Sequence, residues 1–289
     1  MTTSALPSKR GSYLHLAPHR DACSITDLDS YADSAPRPIA VDLFCGAGGL
    51  SLGLHLAGFT VVLGVDSNRD AVASHGANFG GTSAQIDLSN TEEVNTLVST
   101  LSEVSVDLIA GAPPCQSFSK AGVNKIRSLV KQGVRSPQDP RGDLWRPFVN
   151  VVKRMRPRAV LVENVPDMAL GGDSLALRQL VAALEDLDYD VHTRILRAVD
   201  YGVPQHRQRL FVVGLPTGAI FDWPDPSDNS VTVRDAIHDL PKLGGGEGTS
   251  PSYYGEPDSE LQRWCRIEVG SDDSHTIYDH VARDVRADD

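Results

Sequence analysis

Along residues 39–214 short apolar runs alternate with amphipathic stretches. Ile39–Phe44 (IAVDLF) predicts a buried strand that runs into a tight glycine turn, CGAGG. Leu50–Ala57 has helical spacing. Thr60–Val65 (TVVLGV) predicts a second strand that ends at Asp66, and Asn68 can cap a helix through Asn78. A short strand near Ala84–Ile86 ends at Asp87 and is followed by a helix around Glu92–Leu101. Val106–Ala110 (VDLIA) predicts a fourth strand running into GAPPC. A helix resumes at Leu144–Met155, and a fifth strand, Ala159–Val162, ends at Glu163. A helix over Ser174–Leu187 and a closing pair of strands at 190–198 and 209–214 complete the pattern. This alternation predicts an α/β fold with a mostly parallel, Rossmann-like sheet and helices on both faces.

The flanks differ in character. Residues 1–38 show no apolar periodicity and are rich in Ser, Asp, Ala and Pro, which predicts a flexible leader. Residues 215–289 are rich in Pro, Gly and Asp, with GGGEG at 244–248 and only short helical pieces. The stretch 116–141 is too long for an ordinary connection, and such loops are functional or disordered. No internal repeat is present, and no run of about 18 apolar residues that could cross a membrane. The N-terminus carries no apolar stretch of the secretory type, so a cytoplasmic location is expected. The four cysteines, Cys23, Cys45, Cys115 and Cys265, are far apart and form no CxxC pair. That argues against a zinc site or a disulfide scaffold.

A formal charge of −11 over 289 residues seems at odds with a polyanionic partner, until it is divided along the chain. Residues 215–289 hold 6 basic against 16 acidic residues, residues 1–38 hold 4 against 4, and residues 39–214 hold 17 against 18. Within the last, residues 116–158 hold 11 basic residues and two acids, Asp139 and Asp143, a local net of +9. Such a run is either a solvated loop or a surface for a polyanion.

Four places carry candidate chemistry. In DLFCGAGGLSLG, Gly46, Gly48, Gly49 and Gly53 allow a sharp bend and close approach of a ligand, and the following helix presents its N-terminus. Asp66 ends the next strand about 20 residues on, where nucleotide-binding folds place a ribose-binding acid, and Asp87 ends the third. The GxGxxG spacing is not met, which disfavours NAD. A structural turn explains the glycines alone; with the two acids, an adenosine-type cofactor explains more. In GAPPCQSFSKAG, Cys115 follows two stiffening prolines; it is either a buried inert thiol or a nucleophile helped by basic neighbours such as Lys120. Cys45, inside the glycine turn, suits packing better than chemistry. Glu163-Asn164-Val165 puts a carboxyl at a strand end on the same rim, as a helix cap or as an acid partner to a thiol. In YGVPQHRQRLFVVG, Gln205, Arg207 and Arg209 alternate; if extended, they form either an ordinary charged edge or a pair of guanidiniums aimed at a site.

Taken together, these segments resemble the cytosine-5 DNA methyltransferase family. DLFCGAGGLSLGLHLAGF is similar to its first motif, VDSNRDAV and QIDLS to its second and third, GAPPCQSFS to its nucleophile motif, ENV to its acid motif and QHRQR to its QxRxR motif. The resemblance implies a methyltransferase catalytic domain over residues 39–214 and S-adenosyl-L-methionine as cofactor. It implies that Phe44 stacks near the adenine, Asp66 binds the ribose and Asp87 the adenine amine, with Gly46, Gly48, Gly49 and Pro113 also at the cofactor. It implies that Cys115 attacks carbon-6 of a flipped cytosine, Glu163 holds the proton at ring nitrogen 3, and Arg207 and Arg209 steady the base. Gln116, Ser119, Asn164 and Gln205 are implied at the substrate, with Asn164 bracing the prolines. No metal is implied. Residues 215–289 resemble only an acidic linker toward a target-recognition region, so a second subunit carrying that region and the last motifs is an expectation, beside double-stranded DNA as partner and a nucleoid-associated, cytoplasmic location. Alternatives are a tRNA cytosine-5 methyltransferase and an inactive truncated or regulatory chain of the same fold.

Overall fold

The computed structural model describes residues 17–114, 144–170, 174–248, 255–267, 277 and 280–282. Seven strands form one mixed sheet in the order β3-β2-β1-β4-β5-β7-β6. They are β1 (Ile39–Leu43), β2 (Thr60–Asp66), β3 (Thr82–Gln85), β4 (Leu108–Gly111), β5 (Ala159–Asn164), β6 (Tyr189–Arg197) and β7 (Gln208–Pro216). β1 pairs in parallel with β2 and β4, β2 with β3, and β4 with β5, while β7 runs antiparallel to β5.

The burial of each strand explains its sequence. β1 and β4 are buried at every position, as central parallel strands covered on two sides must be. β5 and β7 alternate buried with partly exposed positions along most of their length, as the two faces of a strand do. One core cluster joins Ala40, Val61, Leu108 and Ala110 to Leu54 of the helix that follows the glycine turn.

Local signals set the helices. α1 (Leu28–Ser34) is the first, α2 (Gly49–Leu56) follows the glycine turn, and α3 (Arg69–Asn78) starts where the Asn68 side chain accepts from the amides of Asp70 and Ala71. α4 (Thr91–Leu101) is capped by Asn90 in the same way. α5 (Trp145–Met155) buries Trp145, Phe148, Val151 and Val152, one apolar stripe at helical spacing. α6 (Asp167–Leu170) and α7 (Leu175–Glu185) follow β5. α8 (Val233–Ile237) opens with a capping box of Thr232 and Asp235, and α9 (Glu260–Ile267) is the last helix described.

Two expectations change. Inside the stretch expected to be a leader, residues 25–34 form a 3-10 turn and α1, with Leu28 and Ala32 buried. Backbone hydrogen bonds from Cys23 N to Gly81 O and from Gly81 N to Asp21 O tie the preceding residues to the sheet edge at β3. Two buried positions in seven residues are too few to show as periodicity, so tertiary docking rather than pattern orders this segment. The third strand lies at Thr82–Gln85, slightly earlier than expected, because Thr82 and Ser83 pair with Leu63 and Gly64 of β2 despite their polarity.

The chain falls into two compact units, Met1–Arg194 with Leu210–Phe221, and Ile195–Arg209 with Asp222–Asp289. Ile195–Arg209, inside the domain expected over 39–214, groups with the second unit, and the first unit reaches Phe221. Within that unit, Arg266 and Asp239 form a buried ion pair at 2.9 Å. Among the described residues no helix is long and apolar enough to cross a membrane.

Candidate cofactor and catalytic site

The glycine turn is built by backbone geometry. Phe44 follows β1 at φ 63°, a left-handed conformation that is strained for a bulky residue and that sites with a function tolerate. Cys45 N donates to Val65 O and Gly48 N to Cys45 O. Gly48 sits at φ 103°, and a Cβ there would enter the Phe79 ring, so any larger residue is strained and must displace that ring. Cys45 is 5% exposed, and burial first, then the charge of Asp42, pushes its thiol far above the ordinary range. That makes it an inert packing residue.

Asp66 locks the turn to β2. Its Oδ2 accepts from Gly46 N at 3.0 Å and its Oδ1 from Asn68 N at 2.8 Å. Both oxygens keep a second lone pair for a ligand hydroxyl. Asp87 is held by Ser89, whose amide and hydroxyl donate to Oδ1 at 2.9 and 2.7 Å, and Asp87 N donates to Glu93 Oε2.

These strand ends border a cavity of about 450 Å³ lined by Phe44, Asp66, Ser67, Asn68, Ile86, Asp87, Leu88, Ser89, Pro114 and Leu144. It joins one aromatic ring and four apolar residues to two carboxylates at the carboxyl ends of parallel strands, where α/β sheets bind ligands. The donor set fits an adenosine: apolar walls and a ring for a flat base, carboxylates for a diol and an exocyclic amine. Of the expected cofactor residues, Phe44, Asp66 and Asp87 line the cavity. Gly46, Gly48 and Gly49 shape the turn beside it. Pro114 rather than Pro113 lies in the wall. Ser67, Asn68, Ile86, Leu88, Ser89 and Leu144 were not expected; several are immediate neighbours of the expected acids, which is the signal that could have found them.

The ends of β4 and β5 lie side by side, with Gly111 opposite Val162. Asn164, 5% exposed, donates from Nδ2 to Pro113 O at 3.0 Å, while its Oδ1 accepts from Val165 N. It thereby ties the acid-bearing strand end to the two prolines that precede Cys115. Glu163 is half-buried and faces Phe211 of β7 in register. Cys115, Gln116 and Ser119, with the basic stretch up to residue 143, lie outside the described residues.

Gln205, Arg207 and Arg209 belong to the second unit. Their expected alternation on one face does not hold. β7 starts only at Gln208, and Arg207 N donates to Gln205 O at 2.9 Å, a three-residue turn. Pro204, unable to donate a ladder hydrogen bond, precedes this turn. Arg207 lines a pocket of about 260 Å³ with Arg197, Val199, His206 and Gln208. Arg209 donates from Nη1 to Gln208 O.

The sheet order with one antiparallel strand, the glycine turn and the acidic strand ends define a methyltransferase fold. A family model for C-5 cytosine-specific DNA methylase matches residues 40–253, and the chain belongs to that family. It is 36% identical over 211 residues to the type II methyltransferase M1.HphI of Haemophilus parahaemolyticus, covering 72% of this chain and 54% of that protein. It is 36% identical over 247 residues to the type II methyltransferase M.XorII of Xanthomonas oryzae pv. oryzae, covering 84% and 53%. A crystal structure of a prophage-encoded E. coli protein, assigned as a DNA modification methyltransferase, superposes with a TM-score of 0.59 at 30% identity, covering 75% of this chain and 59% of that one. The chain spans about half the length of these curated relatives.

Proposed function

We propose that the chain is the catalytic part of a DNA cytosine-5 methyltransferase of the type II modification kind. The observation that carries this reading is the cavity at the ends of β1, β2 and β3, joined to the Asn164–Pro113 hydrogen bond that fixes the approach to Cys115. Phe44, Asp66 and Asp87 would hold S-adenosyl-L-methionine, which supplies the methyl group when bound.

The chain's own residues do the rest. Carbon-5 of cytosine is a poor nucleophile, so covalent catalysis is needed. The Cys115 thiolate adds to carbon-6, forming a C–S bond, and Glu163 holds the proton at ring nitrogen 3 so that carbon-5 gains enamine character. After carbon-5 takes the methyl group, its proton leaves to a base and the C–S bond breaks, which restores the thiolate and the aromatic ring. The basic residues of 116–158 meet phosphates, so binding weakens as salt rises.

The test is transfer of labelled methyl from S-adenosyl-L-methionine to unmethylated duplex DNA, with tRNA as the competing substrate. It is run with the 289-residue chain alone and with lysate of its source added. Label at cytosine carbon-5 of DNA is the expected product. Label in tRNA alone, or none in either arm, overturns the reading. The cavity has its own check. Gly48→Ala forces the Phe79 ring aside and is expected to weaken S-adenosylhomocysteine binding more than about tenfold, or ~1.4 kcal/mol, by calorimetry. Wild-type affinity in that variant would move the site elsewhere.

A further inference from the structure

A buried polar chain that the proposed reaction does not use joins elements whose ends border the cavity. Asp42 of β1, Ser51 of α2 and His75 of α3 are each 0% exposed. Ser51 Oγ donates to Asp42 Oδ2 at 2.6 Å, and lies 3.0 Å from His75 Nε2. His75 Nδ1 in turn lies 2.7 Å from Ser83 Oγ of β3. With Ser51 donating to Asp42, one arrangement satisfies the row: Ser83 donates to Nδ1, and Nε2–H donates to Ser51. Asp42 Oδ1 makes no hydrogen bond among the described residues, so Ser51 is what holds this carboxyl group.

The fold makes room for the imidazole. A Cβ on Gly64 of β2 would fall inside the His75 ring, so β2 passes beneath it as bare backbone. The ring also packs on Phe79 at 4.8 Å between centroids, and Phe79 is the ring that a side chain at Gly48 would enter. His75 thus touches β2, β3, α2 and the residue against the glycine turn. The segments that border the cavity continue from these same elements: Phe44 two residues after Asp42, Asp66 two after Gly64, and Ile86 three after Ser83. Buried polar groups this costly to leave unpaired fix their partners in one arrangement.

We propose that His75 is a positioning residue for the cofactor cavity: through Ser51 it holds Asp42, and through Phe79 the glycine turn, in register with the ends of β2 and β3. The proposal rests on the reading of the cavity as an adenosyl site, and it concerns affinity for that ligand alone.

The test measures S-adenosylhomocysteine affinity of the full chain by calorimetry, with a thermal melt of each variant. Ser51→Ala breaks the link to Asp42, and His75→Phe keeps a ring but removes both hydrogen bonds. Each is expected to lower affinity about tenfold, since only part of the lost hydrogen bonding is felt at the ligand. His75→Gln, whose amide can still donate to Ser51, is expected to recover most of the loss. Duplex-DNA affinity without the ligand is expected to stay at the wild-type value, which a general loosening of the fold would not allow. Wild-type affinity in folded Ser51→Ala and His75→Phe, or a parallel fall in DNA affinity, overturns the proposal. Should those two variants not fold, Ser83→Ala decides: it removes only the far end of the row, and unchanged affinity there overturns the proposal equally. A wild-type chain that binds no S-adenosylhomocysteine overturns the adenosyl reading itself, before any variant is compared.

Discussion

Cys115→Ala is expected to abolish methyl transfer to DNA, by a factor of at least about 10³, while leaving S-adenosylhomocysteine affinity unchanged. The two halves of this expectation have separate physical origins. Without attack at carbon-6, the cytosine ring keeps its aromatic electrons and carbon-5 gains no negative charge to accept a methyl group. Cys45, in the glycine turn, does not substitute for the thiol: it is buried and its thiol is pushed up, which leaves it neutral. Ligand affinity, by contrast, depends on the ends of β1, β2 and β3, and Pro114 is the last residue before Cys115 in the cavity wall. Methyl transfer and calorimetry on one preparation check both. Retained transfer in the alanine variant would remove the covalent mechanism, and lost ligand affinity would place Cys115 in the cavity rather than over the base.

Legibility in the sequence followed how local each signal is. The glycine turn, Asp66 and Asp87 were legible because a strand end, a turn and an acid fall within a few residues of one another. Asn68 was legible as a cap because the amides it accepts from are two and three residues on. Asp42, Ser51, His75 and Ser83 were not, since their hydrogen bonds span 9, 24 and 8 residues and join four elements that only the folded sheet brings together. In sequence Asp42 interrupts an apolar strand and His75 is one polar residue in a weakly amphipathic helix. The turn at Gln205–Arg207 was missed for a related reason. Alternating side chains imitate a strand, and the intervening hydrogen bond to Gln205 O leaves no mark on composition.

The same buried row sets an expected pH response. Burial, the largest cause, raises the Asp42 carboxyl from 3.8 to about 7, opposed by its hydrogen bonds with Ser51 and helped by the charge of Asp66. Burial lowers the His75 imidazole from 6.5 to about 4. Between roughly pH 4 and 6.5, therefore, the folded pair holds its proton on Asp42, and the unfolded pair holds it on the histidine. Each state carries one proton on these two groups, so the pair gives no slope of stability with pH in that window. Removing either member exposes the other. In Asp42→Asn only the depressed imidazole remains; its contribution is complete above pH 6.5 and is lost as pH falls to about 4, so stability rises with pH. In His75→Phe only the raised carboxyl remains; its contribution is complete below pH 3.8 and is lost as pH rises to about 7, so stability falls with pH. Each slope is expected to approach 1.4 kcal/mol per pH unit, the value for about one proton. Urea midpoints between about pH 4.5 and 6.5 check it, taken relative to wild type so that other titrating groups cancel. Slopes of the same sign in the two variants would mean that Asp42 and His75 do not occupy opposite protonation states in the fold. Opposite slopes would identify the row as a pair that trades one proton for another on folding, which lets two ionisable side chains sit buried in β1 and α3 without making the stability of the fold depend on mild acidity.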